Sequence, residues 1–318
     1  MKQTLCPLLF VAASIHALTP PAAGQELQTH QDLKASSRYA FFEGIVGLQE
    51  RALAGDAQAQ YLLGMAYIDG SEVTRDYREA VKWQQLAVAQ GLPDAQFALG
   101  YLYEHGDGVN RDYETAVELY RAAAQNGHVV AQNNLASMYQ EGRGVRKNLE
   151  EAFKWYRSSA ERGNPTAQCN LASLYFLGRG VMQDDKQAVI WFRMAAQAGD
   201  PIAQNNLAFM YYQGRGVPLD YEQAARWTRL AAEQGYARAQ TDLGYLYEQG
   251  KGVARDYVDA YAWYRAGQAG GDERAISRLK TLTKLMTREQ IRAAESPTLS
   301  QKAAASPHSG LPPRREKQ

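Results

Sequence analysis

The sequence predicts an all-α solenoid, a row of antiparallel helix pairs with 36 residues to a pair. Three observations carry this reading. The dipeptide Ala-Gln recurs at Ala59, Ala95, Ala131, Ala167, Ala203 and Ala239, always 36 residues apart. Inside each interval, apolar residues fall at helical spacing around a position that holds only Gly or Ala. Each interval is also punctuated by an Asp or Asn ahead of one helical stretch and a Gly behind it. A fixed period of this length marks stacked units, each burying its apolar face only against its neighbours.

The first helix of each repeat, helix A, follows the Ala-Gln pair. Leu63, Leu99, Leu135, Leu171, Leu207 and Leu243 share one position, and Gly64, Gly100, Ala136, Ala172, Ala208 and Gly244 the next. Three residues further on stand Tyr67, Tyr103, Tyr139, Tyr175, Tyr211 and Tyr247. Apolar residues four apart with a small residue between them describe a helix packed closely on another helix.

A loop of the form Gly-x-Gly-Val comes next, as in Gly106-Asp107-Gly108-Val109 and Gly142-Arg143-Gly144-Val145. In repeat one Glu72 replaces the second glycine, which predicts a different loop geometry there. Asp76, Asp112, Asn148, Asp184, Asp220 and Asp256 then read as N-caps of helix B, and Glu79, Glu151, Gln187 and Gln223 as second halves of capping boxes. Helix B carries an Ala column (Ala80 to Ala260) and then all five tryptophans, Trp83, Trp155, Trp191, Trp227 and Trp263, with Leu119 as the exception. A fixed aromatic at one helical position is expected in the core. Gly91, Gly127, Gly163, Gly199, Gly235 and Gly271 end helix B, and Asn164-Pro165 and Asp200-Pro201 open the next helix A. No strand pattern survives.

Six repeats occupy 59–274. Ahead of them, 25–58 reads as a linker and a capping half-repeat, Glu43 to Ala54 followed by Gly55-Asp56. Behind them, 275–294 reads as capping helices, the first opening at Ala275 and the second at a Thr287/Gln290 capping box. The tail 295–318, rich in Ser, Ala and Pro with a basic end, is expected to be disordered. Residues 1–24 read as a secretory signal: one positive charge at Lys2, a largely apolar run from Leu5 to Leu18, and small residues before a cleavage point near Ala23 or Gly24. The expected location is therefore periplasmic or secreted. A mature chain would keep one thiol, Cys169, and could form no internal disulfide.

Composition narrows the function classes. With 35 Lys+Arg against 34 Asp+Glu, the chain has no overall basic field for nucleic acid. Five His without a His/Cys cluster leave little for a metal site, and no stretch is long and apolar enough to span a bilayer. No cofactor, metal or catalytic constellation is expected. The Gly-x-Gly loops lack the preceding strand and third glycine of a phosphate-binding turn. Ser277-Arg278-Leu279-Lys280 matches a Ser-x-x-Lys acyl-transfer pattern, but the companion Lys-Thr-Gly and Ser-Asp-Asn are missing.

The pattern Ala-Gln-x-x-Leu-Gly/Ala-x-x-Tyr, Gly-x-Gly-Val, Asp, Ala-x-x-Trp and Gly resembles the Sel-1-like repeat, a relative of the tetratricopeptide repeat, from Ala59 to Arg274. The resemblance implies a right-handed superhelix with helix A on its concave face, and a protein-protein interaction adaptor of the bacterial periplasm or the endoplasmic reticulum. Cysteine-rich relatives have been linked to penicillin binding, but their paired cysteines are absent here.

On that basis the chain is expected to hold a peptide or protein in a concave groove. The likeness to tetratricopeptide repeats places residues two, six and nine after each repeat Ala in that groove, outside the core. Tyr61, Phe97, Tyr101, Phe176, Phe209, Tyr212 and Tyr245 would be its aromatic anchors. Asn133 and Asn205 would line it two residues after the repeat Ala, and Asn134, Asn170 and Asn206 would offer a row of amides to a bound backbone, or else bridge repeats. The lysines of a C-terminal carboxylate clamp are missing beside them. Arg121, Arg157 and Arg193 are expected on the convex face of helix B. The alternatives are a cell-wall or β-lactam-interacting enzyme-like protein and a structural spacer in an envelope complex.

Overall fold

The computed structural model describes residues 44–70 and 72–295. The expected signal segment, the linker up to residue 43 and the tail from residue 296 lie outside the described residues. Fifteen helices and no strand occur among the described residues. The six helices A are α2 (Ala57–Asp69), α4 (Pro93–His105), α6 (Val129–Glu141), α8 (Pro165–Leu177), α10 (Pro201–Gln213) and α12 (Ala237–Gln249). The six helices B are α3 (Tyr77–Ala89), α5 (Tyr113–Gln125), α7 (Leu149–Glu161), α9 (Asp185–Gln197), α11 (Tyr221–Glu233) and α13 (Tyr257–Ala269). Helix α1 (Gly44–Leu53) precedes them, and α14 (Glu273–Leu282) and α15 (Arg288–Ala294) follow. The molecule is an all-α solenoid of antiparallel helix pairs. It divides into two compact bodies, one up to Ala195 and one from Ala196.

Backbone chemistry fixes the helix boundaries. Asp76, Asp112, Asn148, Asp220 and Asp256 each accept backbone N–H bonds at the start of helix B, and Asp184 does the same for Lys186 and Gln187. The amide of each of these residues donates to the carbonyl of the repeat Tyr nine residues earlier, so every A–B loop closes in the same way. The reciprocal half of the expected capping boxes does not form at Glu79 and Glu151. Those carboxylates pair with Lys82 and Lys154 one turn on, because an i,i+3 ammonium is the stronger partner on an exposed face. Thr287 and Gln290 do form the full box.

Repeat one keeps the common loop despite Glu72. This residue takes φ +60°, the left-handed conformation that Gly108 (+73°) and Gly144 (+62°) take in the next two repeats. A side chain in that conformation costs about 1–2 kcal/mol. In the later repeats glycine is required for a second reason: a β-carbon on Gly108 would lie 2.4 Å from the Tyr77 carbonyl oxygen. The matching position for Glu72 is residue 41, outside the described residues.

The core differs from the sequence expectation in one column. The five tryptophans are half-buried rather than central, as is Leu119. The fully enclosed column lies one residue later: Gln84, Tyr120, Tyr156, Phe192, Thr228 and Tyr264. Rotating by one residue, about 100° around helix B, turns this column onto the Gly/Ala column of the same repeat's helix A. The tryptophans pack across the flank of the core instead, as Trp155 and Trp191 do against the cluster that holds Tyr156 and Leu171. The repeat tyrosines Tyr67 to Tyr247 are likewise half-buried.

The Ala-Gln signature makes the joints. The repeat Ala is fully buried, which brings the helices close. The Gln side chain reaches back to a carbonyl eight residues earlier, near the end of the preceding helix. Gln60 bonds Ala52, Gln132 bonds Ala124, Gln168 bonds Ala160, Gln204 bonds Ala196 and Gln240 bonds Ala232, at 3.1–3.2 Å. Each of these carbonyls also accepts the amide of the glycine three residues on, so the glutamine occupies its second lone pair at the end of the helix.

Candidate functional site

Twelve side chains are expected from the sequence to line a groove. Eleven of the twelve (Tyr61, Phe97, Tyr101, Asn133, Asn134, Asn170, Phe176, Asn205, Asn206, Phe209 and Tyr212) are buried, between 2% and 9% exposed. Only Tyr245 is half-exposed. The expectation that they stand outside the core is therefore corrected. Helix A is enclosed at nearly every position from the repeat Ala onwards, so its variable residues sit in the seam between one repeat and the next. The offsets taken from tetratricopeptide repeats carry no information on how tightly this seam closes.

Within the N-terminal body the Asn residues bridge repeats. Asn170 Nδ2 donates to Asn133 Oδ1 at 3.2 Å, and Asn133 Nδ2 to Asn134 Oδ1 at 3.2 Å. Nearby, Glu104 joins two repeats: its carboxylate accepts from Tyr120 Oη and from Arg143 Nη1, each at 2.7 Å. Burial and this carboxylate together push the Tyr120 hydroxyl well above the ordinary phenol range. Phe97 stacks on His128 (ring centroids 4.4 Å apart) and Tyr101 on His105 (3.9 Å).

The C-terminal body gathers a more open cluster. Tyr212 and Tyr245 lie with ring centroids 6.4 Å apart. Lys251 Nζ, from the loop after α12, donates to Tyr212 Oη at 2.7 Å and stands 4.8 Å from the Tyr221 ring centroid. The Arg278 guanidinium, from α14, lies 5.0 Å from the centroid of Tyr245 and 3.9 Å from Glu248, whose carboxylate accepts from Tyr264 Oη. Burial, and then Tyr212, push the Tyr245 hydroxyl up to about 12, so it stays a neutral donor. Beside this cluster Asn205 Nδ2 donates to Asp242 Oδ2, and Arg274 joins Asp242 to Asp272.

Sequence reasoning passed over Arg143, Lys251 and Arg278. A signal for the first two was present: the residue between the loop glycines is basic in repeats three to six, as Arg143, Arg179, Arg215 and Lys251. Arg121 is not a bystander either. Its Nη2 donates to Tyr139 Oη at 3.2 Å, and Arg229 does the same to Tyr247 at 2.7 Å, so this helix-B column helps to join repeats. Arg157 is exposed and pairs with Glu161. Ser277 and Lys280 are both exposed, and Ser277 Oγ donates to the Arg274 carbonyl. Among the described residues no His/Cys/Asp/Glu group could hold a metal ion, and no helix is long and apolar enough to cross a membrane. An open cleft of about 720 Å³ runs beside Arg146, Lys147 and the start of α7, bounded by Tyr139 and Gly180.

Helix pairs joined by repeated side chains, and differing from joint to joint in their variable ones, define a scaffold of the α-solenoid class. The chain belongs to the Sel1 repeat family: the Sel1 repeat matches residues 57–92, 93–128, 129–164, 165–200, 201–236 and 237–267. Such proteins are generally protein-interaction adaptors, and the fold is typically a non-enzymatic scaffold. The chain is similar to the crystal structure of a Sel1 repeat protein from Oxalobacter formigenes, with 32% identity over 74% of this chain and 97% of that one and a TM-score of 0.66. It is also similar to c5321, a protective antigen of uropathogenic Escherichia coli with an SLR fold, at 28% identity over 92% of this chain and 90% of that one, with a TM-score of 0.44. A further match is immunity protein Pa5087 from Pseudomonas aeruginosa, at 22% identity over 66% of this chain and 79% of that one, with a TM-score of 0.41. No curated protein matches the sequence.

Proposed function

We propose that this protein is an exported adaptor of the bacterial envelope that holds a protein or peptide against the helix-A side of its C-terminal repeats. One observation carries the choice of site: Tyr245 is the member of the expected anchor set that keeps open surface, and Arg278, Lys251 and Tyr212 surround it. Tyr and Arg in a partly enclosed setting are the residue types that most often dominate binding energy. The N-terminal pattern of Lys2, the Leu5–Leu18 run and Ala22-Ala23-Gly24 supports export. The role is binding rather than catalysis, and the exposed Ser277 would have no part in it.

The test is a pull-down from cell-envelope extract with the mature protein, followed by affinity measurement for any stoichiometric partner. Tyr245→Ala and Arg278→Ala should each weaken binding by about 2 kcal/mol or more, and Arg157→Ala should leave it unchanged. Loss of binding in the Arg157 variant alone would move the partner to helix B. A reporter fused to residues 1–30, active only outside the cytoplasm, tests export, and a silent reporter refutes it.

A further inference from the structure

In four of the six repeats the residue just ahead of helix A caps it with its side chain, whereas Leu92 and Tyr236 make no such bond. Asp56, Asn164 and Asp200 each accept from the amide three residues on, at 2.9, 2.8 and 2.6 Å. In repeat three the residue is His128, and it caps α6 with a ring nitrogen: Nδ1 accepts from the Ala131 amide at 3.0 Å. An amide N–H can only donate, so this bond requires a neutral imidazole with its proton on Nε2. Nε2 faces Asp94 Oδ1 at 3.5 Å, which suits that tautomer. The ring is stacked on Phe97, and the side chain is 15% exposed.

We propose that His128 is a proton-operated clasp: neutral, it caps α6 and holds Phe97 in the joint between repeats two and three, and protonated, it releases the cap and loosens that joint. A proton on Nδ1 would set two donors against each other across the Ala131 bond. The imidazolium would also face the positive end of the helix dipole. Asp and Asn caps at this position keep their acceptor oxygen at neutral and mildly acidic pH, or lose a charge rather than gain one.

The charged groups around the ring act in opposite senses. Asp94, in the first turn of α4, favours the imidazolium. Arg162, just beyond α7, opposes it and is anchored beside the ring because its Nη1 donates to the Gly127 carbonyl. Burial is the largest influence and acts with Arg162 against Asp94, so the imidazole is held below the ordinary histidine range. A base depressed in the folded state takes up its proton more readily when unfolded. Its contribution to stability is therefore complete above the ordinary histidine value and is lost as pH falls through it.

The experiment compares the full-length wild type with H128N, which supplies the oxygen cap seen at Asn164 and does not titrate. Thermal unfolding is followed from about pH 8 to about pH 5, the span over which histidine titrates. The two proteins should melt alike at the upper end, and the wild type should fall behind by about 2–4 °C or more at the lower end. In ¹⁵N-labelled wild type the Ala131 amide resonance should move with the same midpoint as the His128 ring. A melting difference that is constant across pH, or an Ala131 amide indifferent to the ring, overturns the proposal. Should H128N fail to fold, the Ala131 resonance decides alone.

Discussion

Gly100 lies so close to Tyr120 that a β-carbon placed on it would stand 2.9 Å from the ring. Gly244 and Tyr264 repeat the relationship at 2.7 Å. This contact between the smallest residue of helix A and the largest fully buried one of helix B sets the spacing of a pair, and it identifies where the packing energy is concentrated.

Phe192→Ala, in the enclosed column, should lower stability by about 3–5 kcal/mol, the range for removing a buried aromatic. Trp191→Ala, one residue earlier and half-buried, should cost less although it deletes the larger side chain. Denaturant midpoints of the two variants settle the order, and a larger loss at Trp191 would return the tryptophans to the core.

Gln132→Ala should cost about 0.5–1.5 kcal/mol, the net worth of one hydrogen bond, because the Ala124 carbonyl keeps the bond it accepts from the Gly127 amide. Hydrogen exchange should report the loss first in the last turn of α5. Unchanged protection there would mean that the Gln column matters only for packing.

Asp200 makes the pH dependence of the C-terminal body run the other way from that of His128. Burial raises this carboxyl to about 6 despite the amide bonds it accepts. The folded state holds the proton to higher pH than the unfolded chain does, so stability falls as pH rises from about 4 to about 6, by at most about 3 kcal/mol. Asp200→Asn should flatten this slope and keep the cap, as Asn164 does one repeat earlier. An unaltered slope in the variant would assign the effect elsewhere.

Cys169 is buried, yet its column accepts Asn133, Asn205 and Thr241 in other repeats. Its backbone carbonyl, not its thiol, receives the Ser173 hydroxyl. Cys169→Ser should therefore still fold, losing at most about 1–3 kcal/mol, the cost of burying a hydroxyl without a full set of partners. Failure of the variant to fold would give the thiol a structural role.

The period, the caps and the glycine ends were legible because each rests on local chemistry that every repeat restates: Asp76 and Asp256 cap with the same geometry, 180 residues apart. Exposure was not legible. Whether Phe209 faces solvent depends on how closely the next repeat lies, and that distance is set jointly by Ala and Gln columns whose repetition signals importance without direction. Glu72 was misleading for a related reason, since the sequence reveals a missing glycine but not that the backbone will bear the left-handed turn without it. His128 carried no recognisable motif, because a lone histidine before a helix becomes a cap only once its ring nitrogen is seen on the Ala131 amide.

The glutamine joint has an evolutionary consequence. Its donor is supplied by one repeat, but its acceptor is a main-chain carbonyl, which every residue type possesses. A duplicated or deleted 36-residue segment would therefore find this bond available on both sides whatever the neighbour's side chains, and only joint-specific pairs such as Glu104 with Arg143 would have to be rebuilt. Arrays of different length can arise by in-register recombination, and the number of repeats is free to drift while the seams between them remain closed.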